Sequence, residues 1–297
     1  MKIRDFLLAL LVMAIWGLNF VVVKFSLKTL DPLLMTALRF TFAAFPAVFF
    51  LPRPRVAWSF LWGYGLLFGV AVWGLSNLGI AAGLSPGLAS LVIQSSAFFS
   101  LAIGYWAFNE RLRFHQWAAC GFAAAGLACV MLVTDGSMSL TGLALVILGA
   151  FGWALSNLIV KRAGTSDPLA FLAWSCMFAP LPLCLLSVAT HGWSAVGQQL
   201  LQMNSSGWLA IAYQVYPGTL FGYSVWNYLL RRYPISQVAP LSLLVPVFGL
   251  SGSALLFSES LPAMKLLASA LIIAGLLINV TGHRWLLLKK KPAGWQA

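Results

Sequence analysis

The sequence predicts an all-α integral membrane protein, and its composition, its long apolar segments and an internal repeat support this fold class. Of its 297 residues, 61% are hydrophobic and only 8% are charged, whereas soluble domains carry roughly 25% charged residues. Such a composition provides too few polar side chains to cover a water-soluble surface. Nearly the whole chain is therefore expected to lie in a bilayer.

Ten apolar segments are long enough to cross a bilayer, whose core about 30 Å thick requires about 20 helical residues. Helices are expected because lipid offers no hydrogen-bond partner to an open strand edge. The ten predicted spans are residues 6–24, 32–51, 57–82, 85–108, 115–133, 140–160, 168–190, 207–230, 236–257 and 262–282. The first span lacks a small-residue cleavage site, which predicts an uncleaved transmembrane helix and not a signal peptide.

The basic residues orient the chain and do not indicate a nucleic-acid partner. They lie between apolar spans, whereas a nucleic-acid binder groups them with aromatic residues on one soluble face. With the N-terminus inside, every Lys and Arg except Arg39 and three outer lysines (Lys24, Lys28 and Lys265) lies on the cytoplasmic side. This asymmetry follows the positive-inside rule. Both termini are therefore predicted to be cytoplasmic.

The two halves of the chain carry similar motifs in the same order. "WGLNFVVVK" at 16–24 matches "WALSNLIVK" at 153–161, and an Asp-Pro pair follows each of them. "NERL" at 109–112 matches "SESL" at 258–261. The predicted domains are therefore a first repeat at 1–134 and a second repeat at 135–297.

Because each predicted repeat holds five spans, an odd number, the second repeat is expected to be inverted relative to the first. Inverted repeats are typical of alternating-access transporters, in which the substrate site lies near the bilayer midplane where the repeats meet. The alternative is a duplication that serves packing alone.

The chain resembles EamA-type members of the drug/metabolite transporter superfamily over essentially its whole length. The resemblance rests on "AIWGLNFVVVK" at 14–24, "DPLLMTALRF" at 31–40, "GLASLVIQSSAFF" at 87–99, "NERL" at 109–112 and "VAPLSLLVPVFGLSGSALLFSESL" at 238–261. It implies a 5+5 inverted fold with a central cavity lined mainly by spans 1, 3, 4, 6, 8 and 9. "GYGLLFG" and "VAPLSLLVPV" are most similar to members that export O-acetylserine and cysteine across the bacterial inner membrane.

Arg39 is the only charged residue well inside a predicted span. Burying an Arg in a bilayer costs at least about 2.5 kcal/mol on insertion scales, so its presence needs a reason. Its planar guanidinium can donate two parallel hydrogen bonds to a substrate carboxylate. Alternatively, it bonds helix-end carbonyls and holds spans together.

Further candidates for the substrate site are amides and tryptophans within the spans. The amides are Asn19, Asn77, Gln94, Asn157 and Gln214, and the tryptophans are Trp16 and Trp153. A buried amide in lipid bonds either a substrate or a neighbouring helix, and the tryptophans line a cavity or anchor the helix at the membrane surface.

Prolines interrupt several apolar runs, and Pro86, Pro240 and Pro246 are the candidate hinge or gating residues. Broken helices expose backbone groups to a solute, although a proline also produces a simple kink that neighbouring helices tolerate. Small residues crowd spans 5 and 10, which favours close helix contact and a scaffold role. A homodimer is possible.

Several functions are disfavoured by motifs that the sequence lacks. There is no G-x-x-x-x-G-K-[ST] loop for ATP, no catalytic triad or H-E-x-x-H pattern, and no Cys or His at metal-ligand spacing. No metal, cofactor or catalytic residue is therefore expected. The sequence predicts a secondary exporter of small amino-acid metabolites. The alternatives are an exporter of a broader set of amino acids or drug-like molecules and a non-transporting membrane scaffold or enzyme.

Overall fold

A computed structural model describes residues 1–108, 112–233 and 235–288. Residues 109–111, 234 and 289–297, which include most of the "NERL" segment and the basic tail, lie outside the described residues. Throughout the three described ranges, every regular element is helical. The predicted all-α class is confirmed.

The helices follow the predicted spans closely. The first six are α1 (Ile3–Ser26), α2 (Pro32–Phe50), α3 (Trp58–Ala81), α4 (Pro86–Trp106), α5 (Phe114–Met131) and α6 (Leu140–Ala163). The remaining ones are α7 (Pro168–His191), the short α8 (Trp193–Leu201), α9 (205–232), α10 (Leu244–Phe257) and α11 (Ala263–Leu288).

Within the described ranges, eight of these helices (α1 to α7 and α11) are long and apolar enough to cross a membrane. A shorter apolar helix covers Leu241–Phe257. The helix α9 is long enough, but Gln214, Pro217, Asn227 and several Tyr and Ser residues reduce its hydropathy. The predicted count of ten spans therefore remains a prediction.

The two Asp-Pro pairs each begin a helix. The Asp31 carboxylate accepts a hydrogen bond from the Leu34 N–H at 2.8 Å, and the Asp167 carboxylate accepts one from the Ala170 N–H at 3.0 Å. A proline follows each Asp at the first helical position. Its missing N–H removes no hydrogen bond there, because the first N–H groups of a helix have no partner within the helix. The repeated motif thus specifies the same helix start in both halves.

Helical geometry is interrupted at matching places in the two halves. A π-helical segment forms Leu66–Gly74 within α3 and Gln214–Phe221 within α9. A 3₁₀ segment forms Ile93–Ser95 within α4 and Ala239–Leu243 just before α10. Such segments leave some backbone groups without their usual helical partner, which makes them available to other helices.

Glycines allow α5 and α11 to pack at short distance. A Cβ added to Gly126 would lie 2.6 Å from Cγ1 of Ile272, and one added to Gly275 would lie 2.8 Å from the carbonyl oxygen of Ala119. The close contact that the small residues of spans 5 and 10 predict is therefore present.

Candidate functional site

A cavity of about 490 Å³ lies between helices from both halves of the chain. Eight aromatic residues form much of its wall: Trp16, Phe20, Tyr64, Trp73, Trp153, Phe171, Tyr223 and Trp226. The helices α1, α3, α4, α6 and α9 contribute, as expected, and so does the 3₁₀ segment before α10. The helices α2, α7 and α11 also reach the cavity, through Arg39, Phe171 and Asn279 among others.

Six of the eight predicted substrate-site residues line this cavity: Trp16, Asn19, Arg39, Gln94, Trp153 and Asn157. The other two lie in contacts between or within helices. The Asn77 amide donates to Oγ1 of Thr36 at 2.9 Å. The Gln214 amide donates to the Ala210 carbonyl at 3.3 Å and to Oγ of Ser26 at 3.5 Å.

Arg39 is buried at the cavity wall, with only 2% of its surface exposed. Its Nε and Nη2 groups donate to Oγ1 of Thr219 at 3.3 and 3.2 Å. Its guanidinium carbon lies 4.0 Å from the ring centroid of Trp73, a favourable cation–π geometry. Among the described residues, no carboxylate pairs with Arg39 and its Nη1 has no hydrogen-bond partner. The guanidinium is thus held in place with one donor group unused.

Two other residues of the cavity lining also carry unused polar atoms. Both side-chain atoms of Asn19 and the indole Nε1 of Trp73 are buried and, within the described part of the chain, have no hydrogen-bond partner. An unsatisfied buried polar group costs about 1–3 kcal/mol. This wall of the cavity is therefore suited to a polar ligand that satisfies these atoms.

The π-helical segment of α9 anchors two of these cavity residues. The Trp16 indole donates to the Gly218 carbonyl at 2.8 Å. Thr219, which receives the two Arg39 bonds, donates its own hydroxyl proton to the Gln214 carbonyl at 2.8 Å. The interruption in α9 thus fixes residues of α1 and α2 at the cavity wall.

The candidate hinge prolines occupy different positions in their helices. Pro86 is the first residue of α4, where Ser85 caps the helix. Pro246 lies in the first turn of α10. The backbone of Pro240 lies in the 3₁₀ segment, and its side chain lies outside the described residues. Pro217, which was not among the candidates, lies inside the π-helical segment of α9.

The seam between α4 and α10 is tightly packed. A Cβ added to Gly87 would lie 2.9 Å from Cδ2 of Leu250. A Cβ added to Gly249 would overlap the side chain of Ser90. The two helices therefore pack closely against each other near the predicted outer end of α4.

Above that seam lies a cluster of charged and hydroxyl side chains, which we call the outer latch: Lys265, Asp135, Glu259, Ser85, Ser253 and Ser260. The Lys265 side chain is fully buried, and its Nζ lies 2.9 Å from Oδ2 of Asp135 and 2.8 Å from Oε1 of Glu259. Ser85 donates to Glu259 at 2.6 Å, and Ser253 donates to the same carboxylate. The outer latch thus joins α4 and the 132–139 linker to α10 and α11.

The electrostatics of the outer latch favour the ionised form of Asp135. Partial burial opposes ionisation, but hydrogen bonds from Ser137, Ser260 and Lys265 outweigh it and hold the pKa of the Asp135 carboxyl well below its ordinary value. Asp135 therefore stays ionised over the physiological range.

A second polar cluster joins the beginning of α1 to the end of α9. The buried Asp5 carboxylate accepts a hydrogen bond from the Tyr233 hydroxyl at 2.6 Å and lies 3.5 Å from Nε of Arg232. The Lys2 backbone N–H donates to the same Tyr233 oxygen at 3.1 Å. This cluster lies at the predicted cytoplasmic ends of both helices.

Several cavity residues were not among the predicted ones. Asn227 and Asn279 are amides within apolar segments, so the criterion that selects Asn19 also selects them. Trp73 contacts Arg39 directly, but the two residues lie on different helices, and nothing in the sequence predicts that they meet. Within the described ranges, no group of three or more His, Cys, Asp and Glu is placed to hold a metal ion.

Comparison with known proteins relates the chain to a family of transporters. A sequence profile of the EamA-like transporter family matches residues 4–132 and 140–281. A Salmonella typhimurium protein described as a probable amino-acid metabolite efflux pump is 40% identical over 293 residues, covering 96% of this chain and 97% of that protein. An Escherichia coli protein with the same description is 39% identical, with the same coverage.

The fold also occurs among solved structures. One crystal structure aligns with a TM-score of 0.62 at 18% identity, covering 96% of this chain and 99% of that chain. At this identity the likeness concerns the fold alone.

Proposed function

Because the chain belongs to the EamA-like transporter family, we propose that it exports small amino-acid metabolites by alternating access, with O-acetylserine and cysteine as the lead substrates. It is a transporter and not an enzyme, and it is a multi-pass protein of the bacterial inner membrane. Two similar proteins at about 40% identity, described as probable amino-acid metabolite efflux pumps, support this substrate class.

The observation that carries the proposal is the unused Nη1 of Arg39 in the wall of an aromatic cavity. Amino-acid metabolites share a carboxylate, and Arg binds carboxylates through short, charge-assisted hydrogen bonds. Asn19 lies beside Gly218, because a Cβ there would be 3.4 Å from its Oδ1, and Gly218 precedes the Thr219 that holds Arg39. The amide and the guanidinium thus belong to one binding region, with Gln94, Trp153 and Asn157 on the walls contributed by α4 and α6.

The proposed architecture has ten spans in two inverted repeats of five, at 1–134 and 135–297, with both termini in the cytoplasm. It is supported by the two segments that match the family profile, by the two Asp-Pro helix starts and by the recurring π and 3₁₀ segments. In this orientation Asn157, Thr165 and Asn227 lie toward the cytoplasmic end of the cavity, and the outer latch closes its outer end.

Transport then requires the outer latch and the seam beneath it to open. Each of the two chain segments that form this seam contains a 3₁₀ segment, within α4 and just before α10. Pro240 lies in the second of these segments and Pro246 three residues after it, whereas Pro86 begins α4 seven residues before the first. A homodimer remains a prediction.

Counterflow in proteoliposomes tests the proposal. Vesicles with purified protein are loaded with unlabelled cysteine or O-acetylserine and then given labelled cysteine outside. We expect transient accumulation that O-acetylserine abolishes, and we expect R39Q to reduce it at least tenfold. R55Q, at an exposed loop position, is the matched control and should transport normally. Equal transport by R39Q and R55Q would remove the carboxylate role of Arg39.

A second candidate is an exporter of a broader set of amino acids or drug-like molecules with the same fold. The volume of about 490 Å³ favours it, because cavities of about 300–1,000 Å³ accommodate drug-sized ligands. A competition panel of large apolar solutes in the same counterflow assay separates the two candidates.

A further inference from the structure

We propose that one wall of the cavity recognises both charged groups of an α-amino acid. Arg39 and the indole of Trp73 bind the carboxylate, and the side-chain oxygen of Asn19 accepts a hydrogen bond from the α-ammonium group. This inference rests on the proposed export function and names the substrate class of the same cavity. It adds Trp73 to the binding residues and gives Asn19 a specific role.

Arg39 and Trp73 are held side by side where α2 packs against α3. The guanidinium carbon lies 4.0 Å from the centroid of the indole ring. One helical turn away, the Asn77 amide donates to Oγ1 of Thr36 at 2.9 Å, which joins the same two helices. The two donor groups are therefore fixed relative to each other before a ligand arrives.

Asn19, on α1, is linked to this pair from two sides. Phe20, its neighbour in the chain, packs against Trp73 with 6.0 Å between ring centroids. A Cβ added to Gly218 would lie 3.4 Å from Oδ1 of Asn19, and the residue after Gly218 accepts the two hydrogen bonds from Arg39. The amide thus lies next to the guanidinium and the indole at the cavity lining.

The unused polar atoms of these three residues match the two ends of a zwitterion. Nη1 of Arg39 and Nε1 of Trp73 are buried donors and Oδ1 of Asn19 is a buried acceptor, and none has a partner among the described residues. A carboxylate accepts several hydrogen bonds and can use both donors, and an ammonium group donates to the acceptor. The bond from Arg39 is strengthened by its charge.

This arrangement requires both charged groups on one ligand. An acid without an ammonium group leaves Oδ1 of Asn19 buried and unsatisfied, and a site built to bond a polar group strongly rejects the analogue that lacks it. An amine without a carboxylate brings a second cation next to Arg39, and like charges repel strongly in a medium of low dielectric constant. The carboxylate of a zwitterion removes this repulsion.

The lining also holds other acceptors for an ammonium group. They are the hydroxyl oxygens of Tyr64 and Tyr223 and Oε1 of Gln94, whose Nε2 donates to the Ser242 carbonyl at 3.3 Å. Within the described ranges, none of these three oxygens is a buried atom without a partner, whereas Oδ1 of Asn19 is one. A ligand therefore relieves an unsatisfied group at Asn19 and gains less at the other three.

Tryptophan faces form a further part of the lining. Trp16, Trp153 and Trp226 attract a cation through their rings but offer it no hydrogen-bond acceptor. Trp16 also packs against Trp226 at 5.7 Å between ring centroids. We assign these rings to the substituent on the α-carbon, because a thiol or an ester group gains from contact with aromatic surface.

Titrations of the full-length protein in nanodiscs at pH 7 test the inference, with tryptophan fluorescence as the readout. The probes are cysteine, 3-mercaptopropionate, which is cysteine without the ammonium group, and cysteamine, which is cysteine without the carboxylate. We expect cysteine to bind at least tenfold more tightly than either analogue. N19L should weaken cysteine at least tenfold and leave 3-mercaptopropionate nearly unchanged. R39Q should weaken both of these ligands and should not weaken cysteamine.

Three variants remove the other acceptors one at a time: Q94M, Y64F and Y223F. We expect each of them to keep the preference for cysteine over 3-mercaptopropionate. Loss of that preference in one of them, with retention in N19L, would place the ammonium group there and overturn the assignment to Asn19. Q202L, which replaces an exposed amide, is the matched control for N19L and should bind all three probes like the parent.

The same probes compete against labelled cysteine in counterflow, which separates the ammonium site from the export function. Equal binding of cysteine and 3-mercaptopropionate to the parent would overturn the ammonium site, and this comparison needs no variant to fold. An N19L protein that weakens both ligands by the same factor would also overturn it, because Asn19 would then have a structural role. Selective binding without counterflow of any solute would instead refute the export function.

Discussion

Replacing Lys265 with Met is expected to release the outer latch and to open the seam between α4 and α10 toward the outer side. Met has a similar length but no charge, so the change removes the cation and preserves most of the packing. The carboxylates of Asp135 and Glu259 then lose the partner at 2.9 and 2.8 Å.

The size of the effect follows from the burial of this lysine. Removing one partner of a buried ion pair costs about 3–5 kcal/mol. The lower end applies, because Ser85, Ser137, Ser253 and Ser260 continue to donate to the two carboxylates. A loss of about 3 kcal/mol in the outside-closed state alone shifts the conformational equilibrium about 100-fold, at 1.4 kcal/mol for each factor of ten.

Labelling of a single cysteine measures this shift. Leu250 faces Gly87 across the seam and is 8% exposed, so L250C in a background without the four native cysteines reports its opening. A membrane-impermeant maleimide is added to the outer side of oriented vesicles. We expect K265M to raise the labelling rate between 10- and 100-fold.

The control is K28M, at an exposed lysine on the same predicted outer side. It should label at the parental rate. An unchanged rate in K265M protein that is folded, as judged by its thermal unfolding, would refute the role of the outer latch. Faster labelling in both variants would show a general effect of charge and not release of the latch.

Two further predictions concern the outer latch and the scaffold. The pKa of Asp135 is lowered, so the stability gained from its charge is present above the ordinary carboxyl value and is lost only as pH falls through the lowered one. The ratio of labelling rates between D135N and the parent should therefore be the same at pH 8 and pH 5, and a ratio that approaches one at pH 5 would contradict this. G126V forces a side chain against α11 and should reduce stability by about 1–3 kcal/mol, as measured by thermal unfolding in detergent. G121V, where a Cβ meets nothing within 4 Å, should unfold like the parent, and equal losses in the two variants would argue against close α5–α11 packing.

The helices could be predicted from the sequence because lipid leaves few alternatives for an apolar segment of about 20 residues. The starts of α2 and α7 could also be predicted, because the Asp-Pro pairs at Asp31 and Asp167 each supply an N-cap and a first helical residue. The π-helical segments were not, since they depend on which neighbouring side chains bond the released backbone groups. Gly218 illustrates this, because its carbonyl accepts a hydrogen bond from the indole of Trp16, which is 202 residues away in the sequence.

The same limit explains which parts of the candidate site were missed. The burial of Asn77 beside Thr36 and the exposure of Asn157 at the cavity cannot be distinguished by residue type, since both are amides in apolar segments. Lys265 lies 130 residues from Asp135, and the sequence shows only that each is near the end of a helix. Their contact depends on the packing of α11 against the rest of the chain.

Arg39 and Ser175 explain how the proposed repeat produces a single charged site. Each lies eight residues after the Asp that caps its helix, so they occupy matching positions. In the second half, the backbone of Ser175 lies against Gly65 of α3, where a Cβ would overlap its carbonyl, and the Ser175 side chain is fully buried. Arg39 lines the cavity, whereas Ser175 is not among the described residues that line it. Among the described residues that line the cavity, Arg39 is therefore the single cationic side chain, and it is the group that the proposed function pairs with a substrate carboxylate.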